Sequence, residues 1–206
     1  MKLLLKTGAA QLWIASFVWS GAALAADDDV MPSSTTVAYG DWTQNCMLVQ
    51  VQKEGEAQPG APQRVCEVRQ VLNAQQEGGE MQRLLTVAVG KLPESDTDRL
   101  VIQTPINVAL RSGVTMRLGA TADAQPAKGG AVSAAPAEGS EQILLTYMTC
   151  NQFCIAEKEL TPAQMDLLKG SEAASVAFDM TNGQELSVPL SLKGFKSAIS
   201  AAAPVN

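Results

Sequence analysis

The chain contains no histidine. That removes the side chain best suited to proton transfer near neutral pH, and with it the Ser-His-Asp triad and most catalytic zinc sites. Aromatic residues are scarce, with four Phe, two Tyr and three Trp in 206 residues. There is no phosphate-binding loop of the P-loop type and no G-x-G-x-x-G fingerprint, so nucleotide binding has no local signature. Positive charge is in deficit: 15 Lys and Arg stand against 21 Asp and Glu, a formal net charge of −6. An acidic chain without a basic stripe is not expected to bind nucleic acid or anionic lipid surfaces.

Long apolar runs are confined to the N-terminus. Lys2 and Lys6 make a positive start, Gly8 to Gly21 is apolar, and Ala23-Leu24-Ala25-Ala26 is a small-x-small cleavage signature followed by Asp27, Asp28 and Asp29. This reads as a secretory signal peptide over 1–25, cleaved between Ala25 and Ala26. An uncleaved membrane anchor is the competing reading, disfavoured because the apolar core is shorter than the ~20 residues that span a bilayer. Loss of the leader's two lysines takes the net charge from −6 to −8. Residues 26–206 are long enough for one domain with its own core. No transmembrane span is expected after cleavage, and no lipobox cysteine marks the cleavage site.

The chain has four cysteines: Cys46, Cys66, Cys150 and Cys154. An even count in an exported chain reads as two disulfides. Four cysteines allow three pairings. Cys46–Cys66 with Cys150–Cys154 is favoured, because each of these pairs flanks a local turn. Bridged Cα atoms lie ~4.4–6.8 Å apart while four extended residues span ~13 Å, so an oxidised Cys150–Cys154 segment must bend back on itself. Phe153 inside that bend either plugs the core or is displayed.

Alternation of apolar residues every second position dominates the remainder. Residues 26–36 are expected to be a flexible N-terminus. Met47, Val49 and Val51 alternate, which predicts a half-buried strand before a Pro- and Gly-rich loop over 53–63. Residues 65–72 and 82–90 read as a hairpin across a polar Gly-Gly turn, with the buried face of the first strand left open. Leu100 to Leu110 reads as a strand interrupted by Thr104-Pro105, hence an edge strand or a bulge. Val114 to Leu118 alternates. Residues 119–141 are Ala, Gly, Pro and Ser with little to bury, which predicts a flexible loop inserted between strands.

The cysteine turn follows, then Thr161-Pro162-Ala163-Gln164, a capping box that opens a helix over 162–169 with Gly170 as its stop. Asn182-Gly183 is a hairpin signal between Val176, Phe178, Met180 and Leu186, Val188, Leu190. Gly194 to Ala203 suits a short C-terminal helix. The expected fold is all-β, mainly an antiparallel β-sandwich or flattened barrel, as one domain over 37–203.

Candidate chemistry is thin. A four-cysteine zinc site would want closer pairs than these. Cys150 and Cys154 form the alternative, a thiol-disulfide site, but such enzymes place C-x-x-C at a helix N-terminus, whereas here the spacing is longer and the flanks are strand-like. Glu94, Asp96, Asp98, Glu157 and Glu159 are candidates for paired-carboxylate hydrolysis, with solvated turns as the ordinary explanation. Tyr39 and Trp42 offer a sugar-stacking platform; core packing beside a disulfide is the favoured role. No catalytic, cofactor-binding or metal-binding residue is assigned, and no cofactor is expected.

Certain residues form a pattern of their own: Tyr39-Gly40-Asp41-Trp42 with Cys46 close behind, Cys66 opening a strand, Thr104-Pro105-Ile106 to Leu118, the Cys150/Cys154 turn, and the ending Val188-Pro189-Leu190-Ser191-Leu192-Lys193-Gly194-Phe195-Lys196-Ser197-Ala198. Together they resemble the invasion-associated locus B family of exported proteobacterial proteins, over most of 37–200. Residues 119–141 are longer than in that pattern, and Phe153 stands where glycine is expected. The resemblance implies a small all-β protein of the Gram-negative periplasm or cell surface, with no catalytic residues to carry over. The implied role is non-enzymatic contact with an unknown envelope or host protein; oligomeric state is left open.

Overall fold

The computed structural model describes residues 33–52, 55, 60–75, 79–93, 95–119 and 141–202. The expected signal peptide with its cleavage site, and nearly all of the 119–141 insertion, lie outside these residues. Ten strands form one sheet: β1 (Ser34–Tyr39), β2 (Trp42–Val49), β3 (Gln63–Gln75), β4 (Met81–Lys91), β5 (Asp98–Thr104), β6 (Val114–Leu118), β7 (Gln142–Cys150), β8 (Cys154–Glu159), β9 (Ala173–Asp179) and β10 (Glu185–Ser191). Their order across the sheet is β1-β2-β3-β4-β5-β8-β7-β6-β9-β10. Every neighbouring pair is antiparallel. Helix α1 (Pro162–Gly170) follows β8, and α2 (Phe195–Ala202) follows β10. The described residues are therefore all-β with two short helices.

The sheet curls because β7 serves two neighbours. Its first half, Gln142 to Leu145, pairs with β6, and its second half pairs with β8. A register shift between Tyr147 and Thr149 leaves Met148 as an extra residue on the outside. Such a bulge bends and twists its strand. Beyond β7 the curl continues until the Lys193 carbonyl after β10 accepts a hydrogen bond from the Asp41 amide before β2, at 3.1 Å. The result is a half-barrel whose two ends touch at one corner.

One apolar cluster fills the curl, running from Trp42 and Val68 through Leu85, Val87, Leu100, Ile102, Met116, Ile143 and Leu145 to Val176, Leu190 and Phe195. Alternation places these side chains. In β6 the pattern is strict, with Val114, Met116 and Leu118 buried and Thr115 and Arg117 turned out. Helix α1 starts where its capping box dictates: the Gln164 amide donates to the Thr161 hydroxyl at 3.2 Å, and the Thr161 amide donates to the Gln164 side-chain carbonyl at 3.0 Å. It buries Met165 and Leu168, each a gain of about 1.5–3 kcal/mol in removal from water.

Several expectations need correction. The inward face of β2 is Trp42, Gln44 and Cys46, and Met47 on the alternating apolar row is 50% exposed. A buried glutamine hides the true inner face from a hydrophobicity count. In β3, whose buried face the sequence leaves open, the inner face is that of Val68 and Gln70. Pro105 does not mark an edge strand: β5 sits between β4 and β8 and ends at Thr104, and the chain then runs irregularly to a 3-10 turn at Leu110–Ser112. Gly170 closes α1 from within, and Ser171 is the cap, its amide donating to the Leu167 carbonyl. Ordered strand begins at Ser34, so β1 takes in residues expected to be a mobile tail.

Candidate functional site

Both ends of the family-like pattern meet at the corner where the sheet closes. The turn Gly40–Asp41 joins β1 to β2, with Tyr39 and Trp42 as its closing pair. The Ser191 hydroxyl donates to the Asp41 carboxylate at 2.6 Å, and the Lys193 amide donates to that same hydroxyl at 3.2 Å. The Trp42 indole N–H donates to the Ser191 carbonyl at 2.8 Å, which satisfies the polar atom of an otherwise buried ring. Phe195 meets Trp42 edge to face, with ring centroids 4.8 Å apart. Gly194 adopts φ 91°, and a Cβ there would collide with the Tyr39 carbonyl. Gly40, Asp41, Trp42, Ser191, Leu192, Lys193, Gly194 and Phe195 thus form a clasp between the two ends of the sheet. Trp42 is 1% exposed, so it is packed in the core and offers no sugar platform.

The cysteines form two disulfides, Cys46–Cys66 and Cys150–Cys154. Cys46 and Cys66 are direct cross-strand partners of β2 and β3. Cys150 ends β7 and Cys154 begins β8, joined by the bend Asn151 to Phe153. The pair thus joins two strands and neither cysteine opens a helix, unlike the C-x-x-C placement of thiol oxidoreductases. Cys150 is exposed and Cys154 is fully buried. Phe153 neither plugs the core nor stands free. It lies half-buried at the tip, with the Arg83 guanidinium 3.8 Å above its ring centroid. Sequence reasoning missed Arg83, which reaches the tip from β4 and has no local signal.

The candidate carboxylates do not converge. Asp96 and Asp98 line a cleft of about 300 Å³ with Lys91, Thr161, Asp166 and Lys169, beside the start of α1. The Lys91 ammonium donates to the Asp96 carbonyl at 2.9 Å. Glu157 and Glu159 instead flank Arg99, each with an oxygen 3.1 Å from its guanidinium. Asp98 and Arg99 are successive strand residues and point to opposite faces, so the two carboxylate groups are separated by the sheet. Glu94 lies outside the described residues. Lys91 comes from β4 and Asp166 and Lys169 from α1, so no local spacing joins the lysine of β4 to the helix pair.

Among the described residues, one titratable group is clearly perturbed. Burial raises the Tyr147 phenol above its ordinary value; a hydrogen bond with Thr104 at 3.1 Å opposes this, and the Asp179 charge adds to it. Among the described residues, no group of three or more Cys, Asp or Glu is placed to hold a metal ion, and no helix is long and apolar enough to cross a membrane.

Comparison with known proteins agrees with this architecture. The crystal structure of invasion associated protein b from Bartonella henselae superimposes with a TM-score of 0.56, covering 82% of this chain and 96% of that one at 16% sequence identity. At that identity the likeness is one of fold. No curated protein matches. The family model described as Invasion associated locus B (IalB) protein matches residues 41–128 and 137–203, from the Asp41 of the clasp through α2. By that match over most of its length, the chain belongs to the invasion associated locus B family.

Proposed function

We propose that this chain is an exported protein of the Gram-negative periplasm or cell surface that acts without catalysis, through contact with an envelope or host protein. The observation that carries this reading is the clasp. The residues that carry the resemblance at the two ends of the pattern are spent on joining the ends of the sheet, which supports a framework that presents a surface. Two disulfides suit an oxidising compartment, and the leader-like start suits export. The Bartonella relative is named for invasion; a role at the host interface is part of this proposal.

The test is photo-crosslinking in intact cells of the native host, from probes placed on exposed positions such as Met47, Leu144 and Leu167. The expected result is one envelope or host protein crosslinked from a contiguous set of positions, by a chain that fractionates outside the cytoplasm and begins at Ala26. A cytoplasmic chain that keeps its leader overturns the export reading. Crosslinks scattered without a common partner overturn the contact reading.

The alternative is a thiol-disulfide protein using Cys150 and Cys154. Exposure of Cys150 beside a buried Cys154 is what favours it. Its reduction potential decides. A value below about −300 mV marks a structural bond, and a value near that of the periplasmic oxidoreductases would revive the redox reading.

A further inference from the structure

The sheet has two free edges, β1 and β10, and they differ. β10 carries Pro189 at mid-strand, which has no N–H to offer a neighbour, and its end is tied into the clasp. β1 reads Ser-Thr-Thr-Val-Ala-Tyr. It has no charge, no proline and no bulge, and those are the devices that normally protect an exposed edge. Its β-branched residues are strong strand formers. Val37 remains 44% exposed.

The hydrogen-bond alternation tells which groups are free. The Leu48 amide donates to the Ser33 carbonyl at 3.0 Å, which makes Ser33 and Leu48 a hydrogen-bonded pair. Counting along the register, Thr35, Val37 and Tyr39 then turn their main-chain groups toward Cys46, Gln44 and Trp42. The N–H and C=O of Ser34, Thr36 and Ala38 point away from the sheet. Among the described residues no strand receives them.

We propose that β1 is a self-association edge: it pairs antiparallel with the same strand of a second copy of this chain about a two-fold axis, with Thr36 facing Thr36 of the partner subunit. This register sets Ser34 against Ala38 of the partner subunit and the converse, so every outward N–H and C=O gains a partner. It also places Val37 beside Thr35 of the partner subunit on the concave face. Of the two neighbouring registers that keep both concave faces on one side, the one centred on Thr35 sets Ala38 against position 32 of the partner subunit, a proline with no N–H to give, and the other is centred on Val37. It brings Ser34 against Gly40 of the partner subunit, where Lys193 and Gly194 already crowd the chain. An isologous pair needs one self-complementary surface, and an uncharged strand sets no like charges against each other. Pro189 denies the same strand to β10, so the assembly closes as a dimer and does not grow into a fibre.

Such a pairing is small beside a standard interface of about 1,600 Å², so the dimer is weak. The net charge of −6 opposes it, and added salt, by screening that repulsion, strengthens it. The inference stands apart from the proposed envelope contact and survives its failure.

The test is sedimentation velocity on the purified chain from about 10 μM to 1 mM, a range suited to a weak interface, with amide exchange measured at Ser34, Thr36 and Ala38. Expected are a mass that doubles with concentration, protection of those amides in proportion to the dimer, and tighter association at high salt. Thr36→Lys sets like charges together on the axis and weakens association by about fivefold or more. Thr36→Val removes the same Thr36–Asn45 side-chain bond without adding charge and still dimerises. Leu144→Lys, on the exposed face of β7, leaves association unchanged. The proposal is overturned by a monomer at every concentration with fast-exchanging amides, or by a dimer in which those amides stay unprotected. Protection independent of concentration also overturns it, because another part of the chain then covers the edge. So does equal loss of association in Thr36→Val and Thr36→Lys.

Discussion

Replacing Gly194 by alanine tests whether the clasp holds the half-barrel shut. Gly194 sits at φ 91°, and its added Cβ would meet the Tyr39 carbonyl. Gly183, in the turn between β9 and β10, is the natural reference: its φ is 82° and nothing lies within 4 Å of the Cβ position. Alanine at Gly183 therefore costs only the left-handed backbone, about 1–2 kcal/mol. Alanine at Gly194 costs that and must also push the β10 end away from β1. Separation breaks the Trp42–Ser191 hydrogen bond and strands a part-buried indole N–H, about 1–3 kcal/mol. It also loosens the Trp42–Phe195 edge contact, about 0.5–1.5 kcal/mol. The total is about 3–6 kcal/mol against about 1–2 for the reference. In a domain of this size the extra loss lowers Tm by about 5–15 °C. Urea and thermal unfolding, followed by tryptophan fluorescence and circular dichroism, read both variants side by side. Equal losses in the two variants would refute the reasoning, because the close approach at Gly194 would then carry no weight.

The two disulfides should respond differently to mild reductant without denaturant. Cys150–Cys154 opens first because Cys150 is exposed, whereas Cys46 is 3% exposed; differential alkylation and mass spectrometry check the order. Removing Cys46–Cys66, which closes a separation of 20 residues, costs about 3 kcal/mol, and removing Cys150–Cys154, which closes 4, costs about 2 kcal/mol. Below about pH 10 the folded and unfolded states both keep the Tyr147 proton. Above that the unfolded phenol ionises first, because burial raises the folded value, so stability falls as pH rises. Tyr147→Phe should flatten that alkaline limb in urea titrations between about pH 9 and 11. Phe153→Ala removes the ring beneath Arg83 and should cost about 0.5–1 kcal/mol of contact energy, with a local change in amide exchange at the hairpin tip.

The legible parts of the fold are those fixed by neighbours in sequence. β6 alternates without exception, and the Thr161–Gln164 capping box is a local hydrogen-bond exchange. The hairpin at Asn182–Gly183 is local too, although its loop spans Thr181 to Gly183, with the Gly183 amide donating to the Met180 carbonyl. The illegible parts depend on distant neighbours. Gln44 is 4% exposed, and a polar residue on the inner face of β2 made the outer row of Met47 and Val49 look like the buried one. Pro105 suggests an edge strand or a bulge because a strand terminus leaves the same mark in sequence. The cleft beside α1 draws Lys91, Asp98 and Asp166 from β4, β5 and α1, and no local spacing relates them. Gly40, Asp41, Trp42 and Ser191 to Phe195 were visible as a pattern through resemblance, but their common task emerges only once the sheet curls.

The disulfides and the clasp divide the work of stabilisation by chain distance. Cys46–Cys66 and Cys150–Cys154 each lie within one antiparallel strand pair, at separations of 20 and 4 residues. They reward contacts that form early and need little loop closure. The Trp42–Ser191 bond spans 149 residues. It requires β2 through β10 to be in order before its partners come within reach, and contacts of such separation form late and slowly. Under the export proposed above, a chain that crosses a membrane unfolded and oxidises afterwards gains from this division. The covalent links are committed to local hairpins, where the wrong partner is far away, and the global closure is left to reversible hydrogen bonds and one aromatic pair. The corner where the sheet closes is therefore the part of the fold that reports completion of the whole. It sits at the C-terminal end of β1, so the edge offered to a second copy takes its final shape only when the sheet has closed.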